Sequence, residues 1–333
     1  MGLRRLVVQA WYPAEVPKGS QPQVWNPDWD LLGPAVARWA HVPGFLISHL
    51  GDVPSHSYPH AVPMSGRFPV IIYSHGWAGF RTAALDQIES MASRGYMVLS
   101  IDHPYAAMAI RFPDSGEIIH MNPDAMPKKS DLSGEAYSEA IWELERVFVD
   151  DVKLVMNELD LGAEGQFARI SNSYFAESYG LIGHGSGAAA VLWNCFNDDR
   201  CAAVVCLDTW TEAILDRIVS RDLKKPALFF RSGTELGSDS DQRLEGVIYR
   251  AQNDVWSATV QQAKTADFMM APLLTPLTRR FGHSGGVDPR ELNLVLNRLV
   301  DAFFDRTVLE MDDVVLGSVQ IPELEVVHYP PPE

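Results

Sequence analysis

The sequence predicts an α/β fold, a mostly parallel central sheet with helices on both faces. Two observations carry this reading: seven short apolar runs of strand length, and intervening stretches whose apolar residues recur at helical spacing. The runs are Leu6–Trp11, Pro69–Ser74, Met97–Ile101, Tyr179–Gly183, Ala202–Leu207, Pro226–Phe230 and Trp256–Val260. Several are rich in Val and Ile, as strands buried on both faces are. Strand–helix alternation implies right-handed crossovers, and ligands in such sheets bind beyond the carboxyl ends of the strands.

The helical stretches follow in order. Leu85, Ile88 and Met91 mark a first helix. Ile141, Leu144, Phe148, Val152, Val155 and Leu159 form a longer stripe with steps of three and four. Gly187–Cys195 is a small-residue run suited to close packing on a sheet, and a further helix is expected over Phe268–Arg280. The last helix begins at Asp288 as cap, with Pro289 in its first turn and Glu291 completing a capping box. Its apolar face is Leu292, Val295, Leu299 and Phe303.

A chain of 333 residues with 47% hydrophobic and 21% charged residues is long enough to bury a full core. Residues 1–308 read as one domain, interrupted by Pro-rich inserts at about 13–68 and 104–133. Residues 309–333 read as an acidic surface tail ending in Pro330-Pro331-Pro332. The inserts are either a cap over a pocket, lined by Trp25, Trp29, Trp39, Phe45 and Tyr58, or a peripheral arm.

The net charge of −16 argues against nucleic acid and anionic membranes as partners. No apolar run reaches the length of a membrane span. Cys195, Cys201 and Cys206 lack a paired zinc or disulfide spacing and read as buried thiols. A cytoplasmic location follows by default, with secretion left open should a leader be missing. His49, His56 and His60 have no metal-ligand spacing, and there is neither a dinucleotide loop nor a Walker lysine. No cofactor or metal is expected, and the oligomeric state is not legible.

Three segments carry chemistry. In Pro69-Val-Ile-Ile-Tyr-Ser-His-Gly-Trp-Ala-Gly-Phe-Arg81 an apolar strand runs into a glycine-bearing turn that can aim a backbone N–H at a developing oxyanion. Gly183-His184-Gly185-Ser186-Gly187 follows a strand and opens a helix, the context of a nucleophile elbow. In register, the glycines at 183 and 187 are the flanks and Gly185 holds the apex. Shifted by one, Ser186 is the nucleophile, with His184 as an oversized flank. Asp208 follows the next strand, where a carboxylate can orient a histidine or simply cap a turn.

These segments resemble the platelet-activating factor acetylhydrolase family of α/β-hydrolases. Ala10-Trp11-Tyr12-Pro13, Ser100-Ile101-Asp102-His103-Pro104-Tyr105 and Val149–Leu159 add to the likeness, which runs from about residue 6 to about 305 outside the inserts. The resemblance implies an α/β-hydrolase fold and hydrolysis of carboxylic esters, short-chain or phospholipid-like. It implies the Trp77 N–H as one oxyanion donor and Asp208 as triad acid. For a nucleophile at Ser186 the second donor is the Gly187 N–H; in the in-register reading it is the Ser186 N–H. The family's nucleophile and base positions fall on Gly185 and Gln262, and both replacements depart from the pattern. His283 is the one later histidine before the last helix, and a structural role suits it as well as a catalytic one. His75, His103 and His184 are near the expected pocket but have no supporting spacing. Three readings stay open: a serine esterase built on Ser186, Asp208 and His283; a binding protein on a retired hydrolase fold; and a cyclase or lyase using the oxyanion hole without a nucleophile.

Overall fold

The computed structural model describes residues 4–332, excepting 219, 235, 312, 313, 315 and 317–320. In chain order the strands are β1 (Val7–Trp11), β2 (Ala14–Glu15), β3 (Val62–Pro63), β4 (Phe68–Ser74), β5 (Met97–Asp102) and β6 (Ala109–Arg111). They continue as β7 (Ile118–His120), β8 (Tyr174–His184), β9 (Cys201–Leu207), β10 (Ala227–Ser232), β11 (Val255–Val260) and β12 (Leu324–Tyr329). The helices are α1 (Trp29–Trp39), α2 (Leu85–Ser93), α3 (Gly134–Asp160), α4 (Ser186–Asn197) and α5 (Leu215–Ile218). After them come α6 (Asp239–Tyr249), α7 (Ala271–Leu274), α8 (Leu277–Arg280) and α9 (Pro289–Thr307).

Eight strands make the main sheet in the order β1-β5-β4-β8-β9-β10-β11-β12. The six inner strands are parallel, while β1 and β12 run antiparallel at the two edges. All seven strands read from the sequence are present. The eighth comes from the tail, whose Leu324–Tyr329 pairs with β11. Val70, Ile71, Ile72 and Tyr73 of β4 are wholly buried, which explains an apolar run without alternation. One face of the sheet packs on α2 and α9 and the other on α3, α4 and α6, giving two hydrophobic clusters. At about 1.5–3 kcal/mol for each large apolar side chain withdrawn from water, these clusters dominate the driving force.

Local chemistry explains several element boundaries. Asp288 caps α9 by accepting from the Arg290 and Glu291 amides. Residues 186–190, Ser-Gly-Ala-Ala-Ala, let α4 lie close on the sheet, and all are buried. The helix expected over Phe268–Arg280 is instead two single turns, α7 and α8, because Pro276 holds Thr275 extended between them. On α3 the stripe is as read except at Leu144, which is half-buried, while its neighbour Glu145 is fully buried. Burial pushes the Glu145 carboxyl well above its usual value, which favours its neutral form. The expectation of three free thiols is corrected: Cys195 and Cys201 form a disulfide, with Cα atoms 5.1 Å apart across the turn from α4 to β9. Cys206 is a buried free thiol.

The two inserts are ordered. The first holds β2, β3 and α1, and the second the β6–β7 ribbon. Arg81 clasps the first insert to the core. Its guanidinium pairs with Asp102 at 2.6 Å and with Asp28 at 2.8 Å, and its amide also donates to Asp102. Arg111 of the second insert reaches Asp28 and Asp30. Among the described residues no helix is long and apolar enough to cross a membrane.

Candidate active site

The elbow is formed, and its register is fixed by sterics. Gly185 stands between β8 and α4 with φ 56° and ψ −116°, a conformation that favours glycine. A Cβ on Gly183 would lie 2.3 Å from the Gly187 carbonyl oxygen, and one on Gly187 would lie 2.1 Å from the Ser74 carbonyl oxygen. Neither flank accepts a side chain, so Gly183 and Gly187 are the flanks and Gly185 is the apex. Ser186, the expected nucleophile, is the first residue of α4, one place after Gly185, and buried. A side chain at Gly185 would meet little, since its Cβ position is 3.7 Å from the Gly76 Cα.

The oxyanion turn follows β4, the strand beside β8. Ala78 N–H donates to Ala106 and Gly79 N–H to Gly76, which fixes the turn around Trp77. Trp77 N–H has no partner among the described residues. Ser186 and Gly187 open α4, where first-turn amides lack intrahelical acceptors. The amide after Gly185 is that of Ser186, the second oxyanion donor expected in the in-register reading.

Asp208 ends β9 in a left-handed conformation (φ 47°). One carboxylate oxygen accepts from the Ser232 amide at 2.9 Å and the other from the Thr265 hydroxyl at 2.5 Å. Among the described residues no histidine is hydrogen-bonded to this carboxylate. His283 stacks on Trp39, with ring centres 5.4 Å apart. Gln262 is exposed, at φ 62°, and its carbonyl accepts from Gly286. Neither expected base is brought to Asp208: the segment after β11 turns so that Thr265, three residues beyond Gln262, takes the place beside the carboxylate.

His184, immediately before the apex, is the histidine nearest the elbow in sequence. Its Nε2 lies 2.8 Å from the Thr265 carbonyl oxygen, and its buried Nδ1 has no partner among the described residues. Burial pushes this imidazole below its usual value, while the Thr265 carbonyl and Asp208 act the other way.

Two cavities meet here. The larger, about 630 Å³, is bordered by His184, Gly185, Ser186, Asp208 and Thr265, with Lys129, Glu212, Arg231 and Asp241 further out. The smaller, about 150 Å³, is walled by Trp25, Trp29, Trp39, Phe80 and Phe281. Gly76, Trp77 and His184 border both. The first insert thus supplies apolar lining through three of its tryptophans. Phe45 is 75% exposed, and neither it nor Tyr58 borders either of these two cavities.

A second constellation lies beneath the turn. Ser74 Oγ is 2.9 Å from His103 Nε2, and His103 Nδ1 is 2.9 Å from Asp151, whose carboxylate also takes two hydrogen bonds from Arg4. A carboxylate only accepts, so His103 Nδ1 carries the proton and Nε2 accepts from the serine. All three side chains are buried. Burial raises the Asp151 pKa, but Arg4 and His103 outweigh it and the net shift is downward. His75 is likewise engaged at both nitrogens: Nδ1–H donates to Gly76 and Nε2 accepts from the His103 amide.

The parallel sheet, the glycine-flanked turn after β8, the turn after β4 and the carboxylate after β9 are those of the α/β-hydrolase fold. A family model described as platelet-activating factor acetylhydrolase, isoform II, matches residues 2–117. The chain is 25% identical over 181 residues to a platelet-activating factor acetylhydrolase of Bos taurus, covering 50% of this chain and 40% of that protein. It is 26% identical over 203 residues to that of Cavia porcellus, covering 56% and 45%. A probable 1-alkyl-2-acetylglycerophosphocholine esterase of Arthroderma benhamiae is 25% identical, covering 54% and 39%. The matches thus span less than half the length of these relatives. A ferulic acid esterase from Streptomyces cinnamoneus superposes with a TM-score of 0.74 at 21% identity, covering 96% of this chain and 88% of that one, which bears out the fold. The resemblance read from the sequence stands: the chain is similar to the platelet-activating factor acetylhydrolases.

Proposed function

We propose that this protein hydrolyses carboxylic esters. The observation that carries the reading is the Trp77 amide, unpartnered among the described residues, in the turn that borders both cavities beside Gly76 and His184. An ester carbonyl placed there has its oxygen within reach of the Trp77 and Ser186 amides. The aromatic cavity suits a short acyl chain or a single ring, and the larger cavity suits a polar alcohol portion such as a glycerophospholipid headgroup. Short-chain and phospholipid-like esters are therefore the proposed substrates. Asp208 acts by its charge on the groups around it and Thr265 holds it in place.

The test is turnover of p-nitrophenyl acetate, butyrate and octanoate, and of a phospholipid with an acetyl group at the second glycerol carbon. Turnover above buffer, highest for the acetate or butyrate, is expected. No turnover on the whole panel sinks the reading and favours a binding protein, a cyclase or a lyase, the alternatives to which the Gly185 apex lends weight. A cytoplasmic location is the default proposal. The Cys195–Cys201 disulfide instead favours an oxidising compartment. Counting reactive thiols on the purified, denatured protein decides between one and three.

A further inference from the structure

We propose that His184 is the general base of this site and that a water molecule over Gly185 is the nucleophile. This rests on the ester-hydrolase reading and says how the reaction proceeds without a serine at the apex.

The tautomer of His184 follows from its neighbour. The Thr265 carbonyl can only accept, so Nε2 carries the proton and Nδ1 presents its lone pair. Of the three histidines at the strand ends, His75 and His103 have both ring nitrogens engaged, and His184 has one unpartnered. That nitrogen lies against Gly76: a Cβ on Gly76 would sit 3.1 Å from it. The empty Cβ position of Gly185 has Gly76 as its nearest neighbour too, at 3.7 Å. A buried lone pair and an open apex thus border one glycine, Gly76, which itself borders both cavities with Trp77 and His184.

The step balances. A water proton passes to His184 Nδ1 as its oxygen bonds to the ester carbonyl carbon. The carbonyl electron pair moves onto oxygen, held by the Trp77 and Ser186 amides. Collapse restores the C=O bond, breaks the bond to the alcohol oxygen and returns the proton from Nδ1 to that oxygen. Acid and alcohol leave, and no covalent enzyme intermediate forms. While Nδ1 holds the proton, the Thr265 carbonyl and Asp208 stabilise the imidazolium.

The titratable groups around His184 are Asp208 and His75, with Lys129, Glu212, Arg231 and Asp241 further along the larger cavity. Burial lowers the His184 pKa, so the base is neutral at pH 7, and kcat/KM should fall as pH drops through a value below the usual imidazole range.

The experiment uses p-nitrophenyl butyrate with the whole chain. His184→Gln should lower kcat/KM by about 10²–10⁴-fold and remove the acid limb of the pH profile. Gly185→Ala, which puts a methyl where the water stands, should lower it at least about tenfold while the chain stays folded, with a melting temperature a few degrees lower from the backbone strain at this position. Intact-mass analysis of quenched reactions should show no acyl adduct. An unchanged rate and profile in His184→Gln, an unchanged rate in Gly185→Ala, or an acylated side chain overturns the proposal. Should the parent chain turn over no ester, the hydrolase reading fails, and butylboronic acid tests the base separately. Its tetrahedral hydroxyl should shift the ¹⁵N resonance of Nδ1, and an unmoved resonance overturns the role of His184.

Discussion

The elbow and the cluster beneath it divide the parts of a triad between them. At the elbow stand the Trp77 turn, a cavity and a carboxylate after β9, but glycine at the apex and, among the described residues, no histidine hydrogen-bonded to Asp208. Beneath it, Ser74, His103 and Asp151 are joined in the order and at the distances of a catalytic triad, yet buried from any substrate. The difference teaches that the hydrogen-bonded chain alone is not the function. Access, strain at the nucleophile and an oxyanion hole make it so, and without them the same chain is a brace. This one ties the ends of β4 and β5 to α3 and, through Arg4, to the N-terminal segment.

Removing the charge from the brace should have the largest effect on stability. Asp151→Ala leaves Arg4 and His103 facing a buried gap and should cost about 3–5 kcal/mol, read by denaturant unfolding. A loss below about 1 kcal/mol would erase the distinction between brace and site.

The brace also has a pH signature. The folded-state pKa of Asp151 is depressed, so its contribution is present above the unfolded aspartate value of about 3.9 and is lost as pH falls through the lower folded value. The stability gap between the parent chain and Asp151→Asn should be full at pH 7 and close in acid below that range. A gap that is constant from pH 7 to pH 3 breaks the account.

Smaller effects sharpen the contrast. Ser74→Ala should cost about 1 kcal/mol, the worth of one neutral hydrogen bond. A fluorophosphonate probe should label neither Ser74, which is inaccessible, nor Ser186, which is off the apex. Labelling of either, mapped by peptide mass, would move the nucleophile back onto the protein.

The fold was legible because long apolar runs and helical stripes report burial directly. Its misreadings have local causes. Phe268–Arg280 has helical periodicity, but Pro276 breaks it, and β12 hid in a tail whose side chains are largely exposed. At the site, the glycine pattern over 183–187 left two registers open, and only the contacts of Gly187 with the Ser74 backbone closed one of them. Gln262 followed from sequence likeness, whereas Thr265 reaches Asp208 through the turn after β11, which no spacing encodes. His184 stood inside the motif but read as a bulky flank. Ser74 and His103 sit at the ends of adjacent parallel strands, a usable signal. Their partner Asp151 depends on how α3 lies against the sheet, which no motif states.

Glycine at the apex has a consequence for how this chain can change over generations. A residue with a side chain held near φ 56° and ψ −116° carries strain on the order of 1–3 kcal/mol, against a total stability of roughly 5–15 kcal/mol. Glycine carries none of it. A change to serine meets open space but forfeits that margin before any new activity appears, and a histidine must still arrive beside Asp208 to use it. The open position at Gly185 thus acts as a ratchet: a side chain finds room there, yet the change is downhill in only one direction for the fold.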